Sequence, residues 1–139
     1  MVDAAHKGRE FPPFEYVVER GKLREFLIAI GDGNDEYSDD NTGVPPTFPT
    51  VFAFWGGMSM EGMLHEIGVE MWNVLHGEQE YEYLAPVHVG DTISGRATVS
   101  NVYSKAGLDF VEIQIDYLNQ SGNPVVRERA LIIVRENKA

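Results

Sequence analysis

The feature that most constrains this chain is a change of hydrophobic period near its middle. From Glu78 onward the period is two. Tyr81 and Tyr83 alternate with Glu80 and Glu82; Ile93, Ala97 and Val99 alternate with Thr92, Ser94, Arg96 and Thr98; Val111, Ile113, Ile115 and Tyr117 alternate with Glu112, Gln114 and Asp116. Successive side chains of a strand point to opposite faces, so each run reads as a half-buried strand. Turn-forming residues separate the runs at Pro86 to Asp91 and at NQSGNP. The last run, VVRERALIIVR, ends in ALIIV, apolar on both faces as in a central strand. A meander of four long antiparallel strands is therefore expected, and one of its faces must be covered.

The first half supplies the cover. Met1 to Pro13 reads as an arm, ended by Pro12-Pro13, and Phe14 to Glu19 as a short strand. Gly21 then separates it from KLREFLIAI, where Leu23, Phe26, Leu27 and Ile30 fall on one helical face. Gly31 sits where a glycine helix stop belongs. Asp32 to Pro46 is a polar loop. TFPTVFAFW is apolar nearly all round, so a buried helix is expected, with Pro49 near its first turn. Gly56-Gly57 interrupts it. SMEGMLHEIGVEM resumes a helical pattern, with Met60, Met63, Leu64, Ile67 and Met71 on one face, giving two helical pieces or one broken helix. The fold class is α+β, with residues 1–139 forming one domain.

Composition narrows function by exclusion. The formal net charge is -11, which repels phosphate backbones and anionic membranes, so neither nucleic acid nor membrane is expected as a partner. An anionic substrate would need a locally basic or amide-lined site. There is no cysteine, hence no disulfide and no thiolate chemistry. The first residues are too polar for a signal peptide, and no apolar run approaches the roughly 20 residues of a spanning helix. A cytoplasmic protein is expected.

The segment AIGDGNDEYSDD presents Asp32, Asp35, Glu36, Asp39 and Asp40. Counted from Asp32 as an EF-hand, Asn34 and Glu36 fit the third and fifth positions, but Tyr37 stands where glycine is required, so calcium is not expected. Histidine is present at His6, His65, His76 and His88 without an HxxH or HxxxH pair, so zinc is not expected either. No metal or other cofactor is called for. Gly90-Asp91 reads as a turn in which Asp bonds the loop's own amides. The methionines at 58, 60, 63 and 71 suit an adaptable apolar wall or core filling.

Four segments together resemble the MaoC-like dehydratase and hydratase family, its FAS1-like dehydratase branch in particular. They are REFLIAIGDGN, VPPTFPT, LHGEQEYEYLAPVHVGDTI and KAGLDFVEIQIDYLNQSGNPVV. The resemblance spans almost the whole chain, and APVHVGDTI is its most distinctive part. It implies a hotdog fold, an antiparallel sheet wrapped around a central helix. It implies hydration of trans-2-enoyl thioesters, or dehydration of 3-hydroxyacyl thioesters, on coenzyme A or acyl carrier protein. Active members of the family carry Gly-Asp-x-Asn-Pro followed by a histidine. Here Gly31-Asp32-Gly33-Asn34 matches the start, Asp35 takes the proline position and Tyr37 takes the histidine position. The resemblance makes Asp32, Asn34 and Tyr37 the catalytic-loop candidates. A tyrosine with an ordinary pKa near 10 is a poor base at neutral pH.

The branch suggests a resolution. Some hotdog subunits lack the histidine and pair with a chain that carries the full dyad, while they shape the acyl pocket. The expected partner is such a second MaoC-like subunit, or else a second copy in a homodimer. Phe48, Phe52, Trp55 and Met63 are candidates for an acyl tunnel, as is Phe54. His76 could face the pocket, and Gly77 lies where the family brings a backbone amide near the thioester. Alternatives are a self-sufficient homodimeric hydratase using Asp32 with Tyr37 or His76, a thioesterase using Glu61, and a non-enzymatic acyl-binding module.

Overall fold

The computed structural model describes residues 1–39 and 41–135, so Asp40 of the acidic loop lies outside the described residues. Among the described residues five strands form one antiparallel sheet: β1 (Phe14–Val17), β2 (Val74–Tyr83), β3 (Thr92–Lys105), β4 (Leu108–Leu118) and β5 (Pro124–Arg135). Their order is β1-β3-β4-β5-β2. β3, β4 and β5 are the expected meander. β2 departs from it, because it pairs with β5 at the far edge and not with β3. Alternation sets which face a strand buries, and says nothing about which neighbour it joins.

β2 also begins earlier than the alternation suggests. A register shift between His76 and Glu78 marks a bulge at Gly77. With a side-chain period of two, the extra residue inverts the phase. Before it, Val74 and His76 stand opposite Val134 and Ile132; after it, Gln79, Tyr81 and Tyr83 stand opposite Ala130, Glu128 and Val126. The pattern is legible only downstream of the bulge, which is why the alternation starts at Glu78.

Among the described residues three α-helices accompany the sheet: α1 (Arg20–Ile30), α2 (Pro49–Gly56) and α3 (Met60–Glu66). Gly21 lies inside the first turn of α1 and is not its boundary. Gly31 ends α1 at φ 70°, with its amide bonded to the Ile28 carbonyl. That left-handed conformation costs glycine little. Leu23 is fully buried and Phe26 and Leu27 pack on the core, while Ile30 is exposed. Ser59 caps α3, its Oγ accepting the Gly62 amide at 3.1 Å, so the helical region is two separate pieces. Met63 and Leu64 are buried; Met71 falls in a short 3-10 turn, Met71–Asn73, beyond the end of α3.

α2 corrects the expectation of an all-round buried helix. Phe48 and Phe52 are fully buried, but Phe54 and Trp55 are 59% and 68% exposed. One flank of α2 meets the sheet, where Phe52 touches Tyr16 of β1 and Tyr117 of β4 with ring centroids 5.6 and 5.3 Å apart. Its other flank is left open, and composition alone cannot distinguish the two.

The N-terminal arm is also more than an arm. Gly8 and Phe11 donate to the Val99 and Ala97 carbonyls, and Val99 donates back to Arg9. Residues 8–11 thus prolong the edge of β3 that β1 occupies, and Phe11 is buried. Among the described residues no helix is long and apolar enough to cross a membrane.

Phe14 stands opposite Gly95 across the β1–β3 register. Its ring covers Gly95 so closely that an added Cβ would overlap the ring, and on the other side a Cβ on Gly57 would lie 2.8 Å from Phe14 Cδ1. A methyl group at either glycine would have to displace the ring. Gly95→Ala should therefore lower stability by about 1–3 kcal/mol, the usual cost of overpacking. Thermal melting against the parent chain checks this, and an unchanged midpoint would show that the ring is free to move.

Candidate functional site

Two depressions hold Asp32, Asn34, Tyr37, Met63 and His76 among the candidate residues, and they share no lining residue. The first, about 470 Å³, lies between α1 and the acidic loop. Asp32 Oδ1 accepts the Asn34 amide at 2.9 Å, and Asn34 Oδ1 accepts the Glu36 amide at 3.0 Å. These two turns in series hold the loop and cap the 3-10 turn Asp35–Ser38. Arg20 Nη1 anchors the loop to α1 by donating to the Tyr37 carbonyl at 2.7 Å. Arg20 and Arg24 border the depression beside Asp32 and Asp35, so the formal charges of its lining balance.

Tyr37 is held in its protonated form. Burial pushes its phenol above the ordinary 10, and the negative charges of Asp32 and Glu36 push it further the same way. At neutral pH it can donate or accept a hydrogen bond but supplies no base.

The second depression is a cavity of about 390 Å³ between α2, α3 and the β2–β5 end of the sheet. Its walls are apolar: Ala53 and Phe54 from α2, Met60 and Met63 from α3, Val74 from β2 and Ile132 from β5. Its polar end gathers Thr50, His76, Gln79, Tyr81 and Glu128. Glu128 is 4% exposed. Its Oε2 accepts the Tyr117 hydroxyl at 2.5 Å and its Oε1 accepts Gln79 Nε2 at 2.8 Å. Gln79 Oε1 in turn faces His76 Nε2 at 3.0 Å. Since the Gln79 amide group is spent on Glu128, its carbonyl accepts, and His76 carries a proton on Nε2. Burial raises the Glu128 carboxyl above its ordinary 4.5; the bonds from Tyr117 and Gln79 and the nearby His76 offset part of that rise. Tyr81, directly opposite Glu128, is pushed up to about 12 by burial, with the Glu128 charge adding to it.

The structure thus separates the sequence candidates. Asp32, Asn34 and Tyr37 stay together in the loop depression. Met63 and His76 line the apolar cavity. Phe48 and Phe52 are fully buried in the core and border neither depression. Trp55 faces outward, with Lys22 Nζ 4.5 Å from its ring centroid. Gly77 forms the bulge beside His76, and a Cβ there would meet Ile133 Cδ1 at 3.0 Å. Glu61 is exposed in the first turn of α3, outside both depressions. At Gly90-Asp91 the aspartate Oδ2 accepts the His88 amide at 2.8 Å, as a turn residue does.

Thr50, Gln79, Tyr81 and Glu128 were not anticipated. Glu128 could have been: it occupies the same side of its strand as Val126, Ala130 and Ile132, a charge set in an aliphatic row.

The family model for the FAS1-like, dehydratase domain region matches residues 5–128, and the chain belongs to that family. A UPF0336 protein of Streptomyces griseus subsp. griseus is 32% identical, over 96% of this chain and 95% of its own length. A chain of the C-terminally truncated HadBC (3R-hydroxyacyl-ACP dehydratase) complex from Mycobacterium tuberculosis superposes with a TM-score of 0.75 at 21% identity, covering 92% of this chain and 96% of its own. A chain of the ChsH1-ChsH2 complex from the same organism does so with 0.70 at 18% identity, covering 91% and 89%. At these identities what is shared with the two structures is the fold. It is the hotdog arrangement that the sequence resemblance implied.

The Glu128 cluster has a measurable signature. With a folded pKa above the unfolded 4.5, its contribution to stability is fully present below pH 4.5 and is lost as the pH rises through the folded value. Glu128→Gln removes that loss, so the variant should gain on the parent chain in thermal melts taken from pH 4.5 to 7.5. Glu128→Ala strands the Tyr117 hydroxyl and the Gln79 amide and should cost about 1–3 kcal/mol. A pH-independent difference between parent and Glu128→Gln would refute the raised pKa.

Proposed function

We propose that this chain is the acyl-pocket subunit of an enoyl-thioester hydratase or 3-hydroxyacyl-thioester dehydratase. The substrate is carried on coenzyme A or acyl carrier protein. The water-activating aspartate and histidine belong to a second MaoC-like hotdog chain. The observation that carries this reading is Tyr37: it takes the position of the family's histidine, and its surroundings keep the phenol protonated. A loop that retains Asp32 and Asn34 but has a protonated phenol in place of the imidazole lacks one half of the family's dyad.

Three further observations support the reading. The chain belongs to a family described by its dehydratase domain. HadBC and ChsH1-ChsH2, which share its fold, are by name two-component complexes. The edge strand β2 and the turn before it leave Leu75, Tyr83 and Trp72 exposed at 47%, 39% and 69%, an apolar margin next to an open sheet edge. Such an edge calls for cover. The apolar cavity then receives the acyl group, away from the Asp32 loop of the same chain. Within one chain Asp32 and His76 lie in different depressions, so the self-sufficient alternative would need to pair them between two subunits.

Turnover of a trans-2-enoyl-coenzyme A tests this. The purified single chain should give none, and co-expression with a chain carrying Gly-Asp-x-Asn-Pro-x-His should give hydration. In that assembly Asp32→Ala should stay within about threefold of the parent kcat, while Met63→Trp should raise KM for long acyl groups by about tenfold. A homodimer with full turnover, abolished by Asp32→Ala, would overturn the proposal. Free thiol release lost in Glu61→Ala would make the chain a thioesterase instead. Binding without turnover in every assembly would leave it a non-enzymatic module.

A further inference from the structure

The apolar cavity contains a group that a plain hydrocarbon chain does not require. Glu128 alternates along β5 with Val126, Ala130, Ile132 and Val134, all buried on the same side. Taking a carboxylate out of water into such a row is costly unless its oxygens are matched by donors. The match here is partial. Oε2 holds the Tyr117 hydroxyl and Oε1 holds Gln79 Nε2, one donor each, whereas a carboxylate offers about four acceptor positions. Gln79 has no freedom to present anything else, because its carbonyl is engaged by His76. Glu128 therefore borders an apolar cavity with acceptor capacity in reserve, held in place from two strands.

We propose that Glu128 accepts a hydrogen bond from a hydroxyl carried on an otherwise apolar ligand, so that the cavity selects hydroxyl-bearing acyl groups over plain ones. That the apolar body is an acyl group rests on the functional reading above; the preference for a hydroxyl rests on Glu128 alone. A carboxylate that served only to anchor Tyr117 would confer no preference.

The test uses the single chain with two neutral probes of nearly equal size, 1-octanol and methyl octyl ether, titrated by NMR on the methyl group of Met63, which lines the cavity. The alcohol should bind about tenfold tighter than the ether, the scale of one satisfied hydrogen bond. Glu128→Gln should bring the ratio to about one and leave ether affinity unchanged. Gln79→Met, on the exposed edge strand, frees Oε1 and should widen the alcohol preference, which guards against a Glu128 variant that fails to fold. Equal affinities in the parent chain, a preference that survives Glu128→Gln, a narrowed preference in Gln79→Met, or no binding of either probe would each overturn the proposal. The assay contains neither thioester nor partner chain. Absence of turnover in every assembly would therefore defeat the subunit reading without moving this ratio.

Discussion

Phe52 meets three aromatic rings at once, and the arrangement of helices on sheet follows from that contact. Tyr16 reaches it from β1 at 5.6 Å, Tyr117 from β4 at 5.3 Å, and Phe48 from the start of its own helix at 5.7 Å. Phe26 of α1 extends the cluster by packing on Phe48 at 5.3 Å. Edge-on aromatic pairs contribute about 0.5–1.5 kcal/mol each beyond the area they bury. The larger effect is geometric, since two helices and two strands share one set of rings and cannot shift independently. Tyr117 belongs to this cluster by its ring, and its hydroxyl is bonded to Glu128, which lines the cavity. The polar end of the cavity therefore takes its position from the core.

Much of the fold was legible because period encodes burial. The alternation of Val111, Ile113, Ile115 and Tyr117 translated directly into the inward face of β4, and Gly31 stopped α1 as its position suggested. What escaped depends on backbone pairing or on neighbours distant in sequence. Residues 8–11 bond to β3 through main-chain groups, which leave no trace in side-chain pattern. β2 carries a pattern compatible with either edge. Phe54 and Trp55 are as apolar as Phe52, and only the placement of the sheet decides which of them it covers.

The site was legible where it depends on local order and hidden where it depends on assembly. Asp32, Asn34 and Tyr37 lie within one turn-rich segment, so their spacing carried them together. The cavity draws on α2, α3, β2 and β5, and its polar members come from distant parts of the chain, as Gln79 and Glu128 do at a separation of 49 residues. Of the residues named for a tunnel, Phe48 and Phe52 lie deep in the core and Trp55 faces outward, while Phe54 and Met63 line the space together with Met60.

The bulge at Gly77 gives chain length, as distinct from residue identity, control over this end of the molecule. His76 and Gln79 are an odd number of positions apart, and in an uninterrupted strand they would face opposite ways. The extra residue is what lets the imidazole and the amide meet over Glu128. Deleting one codon there would turn the imidazole to the outer surface among Glu78, Glu80 and Glu82 without altering any residue that lines the cavity. Related chains that differ by a single insertion or deletion at this point would hold the same side chains in their sequence and a different set in their pocket.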